Sequence, residues 1–322
     1  MADLDLDLAA VTAPPLARST LDRAAHHRDD AAWLAAAWPG ARLLVVDPAK
    51  GAAMVRESDG EFALVLLPTT GEGPGEAMFL GVEPDGVAVF AVAGPLPTVE
   101  GTSAGNLRDM GHLLDDRDAG LFTTALALAN WHAGHPYSSV TGLPTVVRDA
   151  GWSRVDETGK QLWPRTDPAM IVLVHDGVAG PDGRCLLGNN AAWPRVPGVQ
   201  RFSCLAGYVE PGESAEAAVA REVAEEVGIT LDRVDYIGSQ SWPFPGSLML
   251  GFHALADPTQ PVRVDQTEIT QARWFSRAEM RAIVGGEAID VGEGRRASLP
   301  MRVSIAFYLI SRWLGSSPPA GS

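Results

Sequence analysis

Residues 207–229 read GYVEPGESAEAAVAREVAEEVGI, and this stretch decides the fold of the second half of the chain. Residues 214–227 contain neither Pro nor Gly but many Ala and Glu, which predicts one helix that Gly228 ends. Acidic residues recur along this helix at i, i+3 and i+4, a spacing that brings three carboxylates to one face. They are Glu222, Glu225 and Glu226.

These three glutamates predict a site for a divalent metal. Carboxylates crowded on one face repel each other unless a cation lies among them, and oxygen-only ligands suit Mg²⁺ or Mn²⁺, which bind substrate phosphate directly. The alternative is a solvated acidic face with i,i+4 ion pairs such as Arg221 with Glu225, which is common on Glu-rich helices. The glycines that flank the helix favour the metal site.

The spacing of the whole stretch is G-x5-E-x7-R-E-U-x-E-E-x-G-U, where U is apolar, and it matches the Nudix box throughout. The fixed positions are Gly207, Glu213, Arg221, Glu222, Val223, Glu225, Glu226, Gly228 and Ile229. At average residue usage, a chance match in such a chain has a probability on the order of 10⁻⁷. The chain therefore resembles the Nudix hydrolases, which implies the α/β fold class and an αβα Nudix sandwich with a mixed sheet.

Length and charge limit the possible partners. A chain of 322 residues is long for one core, so two domains are expected. With 25 basic and 40 acidic residues the net charge is -15, which disfavours non-specific binding to nucleic acid or to anionic membranes. A polyanionic substrate would have to be held by metal ions and a few local arginines.

Cysteine usage and the N-terminal stretch indicate a cytoplasmic protein. The two cysteines, Cys185 and Cys204, are too few for a disulfide framework or a four-thiolate zinc site. Residues 1–15 are acidic where a signal peptide would be basic, and no apolar run approaches the length of a membrane span. We therefore expect buried, reduced thiols and no membrane partner.

Sequence patterns divide the chain into three regions. Residues 1–130 are predicted to form a small N-terminal domain with an antiparallel sheet and helices, and residues 131–168 a linker or small substructure. Residues 169–322 interleave strands and helices, which predicts a sheet covered on both faces. Predicted strands span residues 42–46, 62–67, 78–82, 87–92, 170–175, 184–187, 203–206, 234–237, 248–254 and 272–275, and predicted helices span 29–38, 119–132 and 300–314, the last starting at a Pro.

A second motif, SQSWPFPGS at residues 239–247, follows ten residues after the box. Its prolines stiffen the loop and fix Trp242 and Phe244 beside polar groups, as an adenine or nicotinamide pocket requires. Taken alone, such a run is more often a packed structural turn. At this position it resembles the SQPWPFPxS signature of the NADH pyrophosphatase branch of the Nudix family, the NudC-like enzymes.

This second resemblance extends from about residue 131 to the C-terminus. It implies a homodimer in which a small N-terminal α/β domain and a zinc ribbon precede the Nudix sandwich. The implied reaction is hydrolysis of NADH or NAD to nicotinamide mononucleotide and AMP, and the same chemistry removes NAD caps from RNA 5′ ends. Two or three Mg²⁺ or Mn²⁺ ions would serve each site.

The resemblance also implies roles for individual residues. The metal ligands would be Glu222, Glu225, Glu226, Glu268 and the backbone carbonyl of Ala206. Glu226 would act on the attacking water, and Arg221 would orient the glutamates. Tyr208 would stack on nicotinamide, and Trp163 would reach the site of the partner subunit. The other substrate-binding residues would be Gln240, Ser241, Trp242, Pro243, Phe244, Pro245, Gly246, Ser247 and Ala306.

The chain departs from this branch at two places. The branch has two Cys-x-x-Cys pairs in its ribbon, but residues 138–142 read SSVTG and no cysteine follows before residue 168, so a structural Zn²⁺ is not expected. The ribbon would then be degenerate and held by packing. The other departure is Ser241, which replaces the first Pro of the signature and loosens the backbone there.

Two other functions remain open at this point. The box alone reports a diphosphate linked to some other group, so another substrate such as ADP-ribose would also fit it. A non-catalytic Nudix-fold protein that senses a nucleotide or binds a partner is the second alternative. Such proteins usually lose glutamates of the box, and this chain keeps all of them.

Overall fold

The computed structural model of the chain describes residues 13–71 and 73–315. Its contacts form two compact units. The N-terminal unit comprises Pro15–Asp167 together with Ser241–Ser247. The C-terminal unit comprises, among the described residues, 13–14, 168–240 and 248–315. Most of the acidic N-terminal stretch lies outside the described residues. No described helix has both the length and the apolar character that crossing a membrane requires.

The N-terminal unit is built on a seven-stranded sheet. Its α-helices are α1 (Ala31–Ala37), α2 (Leu107–Met110) and α3 (Asp116–Gly134), and the strands of the sheet are β1 (Arg42–Asp47), β2 (Ala52–Ser58), β3 (Glu61–Leu64), β4 (Leu67–Pro68), β5 (Met78–Val82), β6 (Ala88–Ala93) and β7 (Ser103–Asn106). The strand order is β3-β2-β1-β6-β5, with β4 paired to β1 and β7 paired to β2.

The prediction of a purely antiparallel sheet in this unit was wrong for one pair of strands. β1 and β6 run parallel, with Leu43 opposite Phe90, while β1 pairs β2 and β5 pairs β6 in antiparallel fashion. Parallel pairing needs a long crossover connection, and residues 48–87 supply it because they contain four other strands. β2 was not predicted from the sequence, because its buried half has no polar alternation.

The predicted linker contains a three-stranded sheet of the N-terminal unit. Its strands are β8 (Thr145–Arg148), β9 (Ser153–Asp156) and β10 (Gln161–Leu162), paired in the order β10-β9-β8. All pairings in this sheet are antiparallel. This meander lies within residues 131–168, the region for which the resemblance implied a degenerate zinc ribbon, and that likeness stays a prediction.

Asp156 connects the segments of this ribbon through hydrogen bonds. Its Oδ2 accepts from the Thr141 hydroxyl at 2.6 Å, and its Oδ1 accepts from the Thr158 hydroxyl at 2.6 Å and from the Lys160 backbone N–H at 3.0 Å. These donors, with the Ser138 hydroxyl, hold the pKa of Asp156 well below its usual range. The Asp156 carboxylate thus links Ser138 and Thr141 to the end of β9.

The C-terminal unit contains a second large sheet. Its strands and helices are β11 (Asp167–His175), β12 (Arg184–Asn190), β13 (Val199–Arg201), β14 (Leu205–Tyr208), α4 (Ala215–Val227), β15 (Arg233–Trp242), β16 (Ser247–Leu255), β17 (Ile269–Ser276), α5 (Arg277–Val284), β18 (Arg296–Ser298) and α6 (Ile305–Gly315). The strand order is β15-β16-β11-β12-β17, with β14 paired to β11 and a separate parallel pair formed by β13 and β18.

Helices cover both faces of this sheet. Along β11, Met170 and Val172 belong to the core that contains Val219 of α4, whereas Leu173 belongs to the core that contains Leu309 of α6. Successive residues of a strand point to opposite faces, so β11 is buried on both sides. The prediction of an αβα sandwich is confirmed, and α4 is fixed on one face of the sheet by its valines.

The last helix begins later than predicted. It starts at Ile305 and not at Pro300, because the Ser304 hydroxyl accepts a hydrogen bond from the Phe307 backbone N–H at 3.3 Å and caps the first turn. Residues 301–304 form a turn before the helix, closed by a hydrogen bond from the Ser304 backbone N–H to the Met301 carbonyl. Ser304, which caps the helix, therefore determines its start, and Pro300 does not.

Candidate functional site

Helix α4 is defined at both ends by local interactions. The Ser214 hydroxyl accepts from the Ala217 backbone N–H at 3.1 Å and caps the N-terminus. Gly228 adopts a left-handed conformation with φ of 71° and caps the C-terminus, as the sequence predicted. Since Val219 and Val223 are fully buried against the sheet, the orientation of the acidic side is fixed as well.

Three carboxylates converge beside this helix. Glu222, Glu226 and Glu268 each place one oxygen so that the three oxygens lie within 4.8 Å of one another. Glu222 and Glu226 are buried, and Glu268 is exposed. Within the described part of the chain, Glu226 Oε2 is buried and has no hydrogen-bond partner. A buried carboxylate oxygen without a donor is costly unless a cation completes its surroundings.

Charge and burial both act on the pKa of Glu226. Burial raises this pKa to about 8, and the neighbouring carboxylates of Glu222 and Glu268 add to the rise, while the backbone N–H of Ala206 opposes it. Burial also raises the pKa of Glu222, against the influence of Arg221. The cluster therefore has more negative charge than its protein surroundings neutralise.

The donor set of this cluster fits a hard divalent cation. All three side chains offer carboxylate oxygens, one of the three residues faces solvent, and a buried oxygen lacks a partner. Oxygen ligands with an open side suit Mg²⁺ or Mn²⁺, which keep several waters and bind phosphate. The residues present therefore fit the metal that the sequence pattern predicted.

Arg221 organises the acidic residues around the cluster. Its Nε and Nη2 donate to the two carboxylate oxygens of Glu213 at 2.9 and 3.0 Å, and Nη2 also donates to the Tyr208 carbonyl at 3.0 Å. Its Nη1 lies 2.9 Å from Glu222 Oε1 and 3.0 Å from Glu225 Oε2. The guanidinium thus connects α4 to the end of β14 and holds one carboxylate of the cluster in place.

Glu225 does not join the converging carboxylates. Its side chain is 60% exposed and forms an ion pair with Arg221. The i,i+4 pair that the sequence offered as an alternative to metal binding is therefore present for Glu225 alone, whereas Glu222 and Glu226 turn inward.

Two further residues of the site were not among the predicted site residues. Glu213 is a fixed position of the box, and its role as the bidentate partner of Arg221 becomes visible only in three dimensions. Asp265 accepts hydrogen bonds from the backbone N–H groups of Glu268 at 2.9 Å and Ile269 at 2.8 Å and so shapes the loop that carries Glu268. The Thr267 hydroxyl and these N–H groups lower the pKa of Asp265 to about 2.

Two comparisons with known proteins show the family of this chain. A Nudix domain model matches residues 166–291, and a model described as an NADH pyrophosphatase-like rudimentary Nudix domain matches residues 31–131. The NAD-capped RNA hydrolase NudC of Mycobacterium tuberculosis is 42% identical over 316 residues, which cover 96% of this chain and 97% of that protein.

The chain belongs to the NudC group of the Nudix family. Two animal proteins are also similar to it. The mitochondrial NAD(P)H pyrophosphatase NUDT13 of Mus musculus is 38% identical over 214 residues, 65% of this chain and 58% of that protein. The NAD-capped RNA hydrolase NUDT12 of Macaca fascicularis is 35% identical over 216 residues, 64% of this chain and 44% of that protein.

The NudC motif at residues 239–247 is a hairpin corner and not a free loop. Residues up to Trp242 belong to β15, and β16 begins at Ser247. In the N-terminal unit, Trp242 and Phe244 contact each other edge to face at 5.0 Å, and the Arg108 guanidinium lies 4.1 Å from the Phe244 ring centre. Asn130 donates to the Pro243 carbonyl at 2.8 Å. The motif aromatics are thus rigidly packed.

Gln240 and Ala306, two of the predicted substrate residues, lie in the interior of the C-terminal unit. Gln240 is 1% exposed and donates to the Val303 carbonyl at 3.1 Å, and Ala306 is part of the core under α6. Gln240 therefore holds the segment before α6 in place.

The two aromatic residues with predicted substrate roles are exposed. Tyr208 is 60% exposed in the C-terminal unit, and Trp163 is 58% exposed in the N-terminal unit. The roles predicted for these two residues stay predictions. The other residues predicted to bind substrate, Ser241, Pro245, Gly246 and Ser247, lie with Trp242, Pro243 and Phe244 in the N-terminal unit.

Ala206 of β14 lies beside the carboxylate cluster. Ala206 pairs with Ile171 in the sheet, and its backbone N–H acts on the Glu226 carboxylate. The role predicted from the family was that of its carbonyl as a metal ligand, and that role stays a prediction. The N–H contact adds a second reason for the position of β14 beside α4.

Proposed function

We propose that this chain is a metal-dependent NAD(H) diphosphatase that hydrolyses NADH or NAD to nicotinamide mononucleotide and AMP and removes NAD caps from RNA 5′ ends. The observation that carries the proposal is the convergence of Glu222, Glu226 and Glu268 around an unpartnered buried oxygen. It is supported by a relative named NAD-capped RNA hydrolase that matches nearly the whole chain and by one named NAD(P)H pyrophosphatase.

Each residue of the site has a defined part in this reaction. Water adds to one phosphorus while the bond from that phosphorus to the bridging oxygen breaks, and the other phosphate leaves. Glu226 Oε2 is positioned to accept the proton of the water, and Arg221 keeps the Glu222 carboxylate in place. Glu222, Glu226 and Glu268 would hold Mg²⁺ or Mn²⁺, whose charge would neutralise the phosphoryl oxygens.

The proposal includes the assembly and the rest of the substrate site. The enzyme works as a homodimer with two or three Mg²⁺ or Mn²⁺ ions per site and without structural zinc. Tyr208 stacks on nicotinamide, and Trp163 reaches the site of the partner subunit. Two unpaired buried cysteines, Cys185 and Cys204, are consistent with a reducing compartment, and we place the enzyme in the cytoplasm.

One assay tests the activity directly. Purified protein is incubated with NADH and Mg²⁺ or Mn²⁺, and the products are identified by mass spectrometry. We expect AMP and reduced nicotinamide mononucleotide, and we expect Glu226→Gln to retain less than about a tenth of the rate, since a lost contact of this kind costs roughly 3 kcal/mol. Faster turnover of ADP-ribose would show a different substrate, and tight binding without turnover would show a sensor.

A measurement of stability tests the metal site without activity. Mg²⁺ or Mn²⁺ is expected to raise the melting temperature of the wild-type protein, since a ligand that binds only the folded state stabilises it. The Glu226→Gln protein keeps the volume of the side chain and loses its charge, so the same ions should raise its melting temperature much less. An equal shift in both proteins would place the metal elsewhere.

A further inference from the structure

A cavity of about 490 Å³ lies in the C-terminal unit next to the loop that carries Glu268. Its walls come from the segment after β12, from the β13–β18 pair and from the start of β17. The Ala191 backbone N–H donates to the Glu268 carbonyl at 2.7 Å, and Thr270, two residues after Glu268, also lines the cavity. Its size is within the range of small-molecule sites, roughly 300–1,000 Å³.

The charge of this cavity is opposite to that of the chain as a whole. Its lining includes three arginines, Arg195, Arg201 and Arg295, and neither Asp nor Glu, although the chain has 40 acidic and 25 basic residues. Arg195 is exposed and forms no ion pair or hydrogen bond with the described residues. An anion is therefore the ligand that this lining favours.

Arg295, the third arginine, is held in place by its neighbours, and one of its N–H groups has no hydrogen-bond partner among the described residues. Arg295 Nη2 lies 2.9 Å from the Glu293 carboxylate, and Nη1 donates to the buried side chain of Gln200. Arg295 Nε is buried and has no hydrogen-bond partner within residues 13–71 and 73–315. The β13–β18 pair supports this arrangement, since Arg201 is opposite Ser298, which also lines the cavity.

An aromatic ring accompanies the arginines. Trp193 lines the cavity, and the Arg201 guanidinium lies 5.6 Å from the centre of its ring. Asn189 fixes this wall, because it donates to the Arg201 carbonyl at 2.8 Å and accepts from the Thr270 hydroxyl at 2.6 Å. Cationic side chains beside a stacking ring are the combination that single-stranded nucleic acid sites use.

We propose that this cavity binds the RNA body of an NAD-capped transcript, with the arginines on the phosphates of the first nucleotides and Trp193 stacked on a base. The inference rests on the proposed function, because the glutamates would hold the diphosphate of the cap. In a capped RNA the chain continues from the adenosine through further phosphates, whereas free NADH has none to place in the cavity. The cavity adjoins Glu268, so the first nucleotides of the RNA can enter it.

The test compares free NADH with NAD-capped RNAs of increasing length. In the Arg195→Ala, Arg201→Ala double variant, kcat/KM for capped RNA is expected to fall about tenfold or more, and the dependence of log KM on log salt is expected to weaken by roughly 0.7 per arginine removed. Trp193→Ala is expected to lower kcat/KM for capped RNA about fivefold or more. Hydrolysis of NADH is expected to change less than about twofold.

The control is Arg233→Ala, which removes one positive charge from the same unit but outside the cavity, where Arg233 pairs with Asp235. Melting temperatures verify that all variants fold. An unchanged rate on capped RNA, an equal loss on NADH, or an equal loss in the control would overturn the assignment. If the wild type hydrolyses neither substrate, the proposed function fails, and fluorescence anisotropy of a labelled capped RNA on the same variants still tests the cavity.

Discussion

The carboxylate of Glu222 lies directly against the α-carbon of Gly207, so that a Cβ at position 207 would overlap it. Gly207→Ala is therefore expected to displace Glu222 from Arg221 and from the other carboxylates of the cluster. Misplacing a catalytic group by about 1 Å can cost roughly 100-fold in rate, and we expect a loss of that order in kcat for NADH. The measurement is steady-state hydrolysis at saturating Mg²⁺.

The matched control for this change is Gly134→Ala. Gly134 is the last residue of α3, and a Cβ there meets no atom within 4 Å. Its rate and melting temperature should both be close to those of the wild type. If Gly207→Ala keeps more than about half of the wild-type rate, the close approach of these two residues is not a requirement of the site.

Acid is expected to destabilise the C-terminal unit through His253. Burial lowers the pKa of this ring in β16 to about 4, and its Nε2 lies 3.0 Å from the Leu309 carbonyl, to which the neutral ring donates. The unfolded chain takes up the proton near pH 6.5, whereas the folded chain does not until about pH 4. Stability present above pH 6.5 is thus lost as the pH falls through this window, by on the order of 2–3 kcal/mol.

Urea unfolding at several pH values measures this loss. His253→Gln keeps a donor for the Leu309 carbonyl and cannot titrate in this range, so its stability should fall less steeply between about pH 6.5 and 4. Parallel pH profiles for the two proteins would assign the acid sensitivity to other groups, such as His175, whose pKa burial also lowers.

The ribbon region is expected to hold without zinc. Elemental analysis of purified protein should find well below one zinc per chain, and chelation in the absence of added metal should leave the melting temperature unchanged. Asp156→Asn replaces an acceptor of several hydrogen bonds by an amide with one acceptor oxygen, and it should lower the melting temperature by roughly several degrees. Stoichiometric zinc, or an unaffected Asp156→Asn protein, would contradict this account.

Ser241→Pro is expected to stabilise the protein or its dimer and to improve NADH hydrolysis. Ser241 precedes Trp242 at the end of β15, which is an edge strand of its sheet, a position where proline is tolerated. A proline restricts the unfolded chain, typically worth ~0.4–1 kcal/mol when the native φ is compatible.

Ser241→Ala serves as its control, because it removes the hydroxyl and leaves φ free. The three proteins are compared by melting temperature, by light scattering for the dimer, and by kcat/KM for NADH. A proline variant that melts lower, dimerises no better and turns over no faster would show that the backbone N–H of Ser241 is needed where it is.

The helix that carries Glu222 and Glu226 could be predicted from the sequence because its signals are local. Ser214 and Gly228 cap α4 within the helix itself, and the turn-to-turn spacing of Glu222 and Glu226 brings both to one side of it. The same spacing also places Glu225 on this side of the helix, so it could not predict that Glu225 lies outside the cluster that contains Glu222 and Glu226. Arg221 decides between them by holding Glu225 outward, and its own position depends on Glu213, eight residues earlier.

Features built from distant residues could not be predicted from the sequence. The arginines of the cavity stand at positions 195, 201 and 295, and only the parallel pairing of β13 with β18 brings the third to the other two. In the same way, the parallel pairing of β1 with β6 could not be predicted. The sequence shows how long the segment between them is, but not that this segment crosses over and returns the chain parallel to β1. Non-local pairing is a property of the folded chain, and one sequence contains no periodic signal for it.

Because hydrogen bonds to Asp156 hold the ribbon region together, it offers no thiolate to oxidants or electrophiles. Peroxides and electrophiles attack thiolates, and a ribbon joined by Ser138, Thr141 and Thr158 offers them none. The two cysteines of the chain are elsewhere, in the C-terminal unit, where burial raises the pKa of Cys185 and Cys204 and keeps both as unreactive thiols. We therefore expect the fold of this chain to tolerate both exposure to peroxides and the removal of zinc.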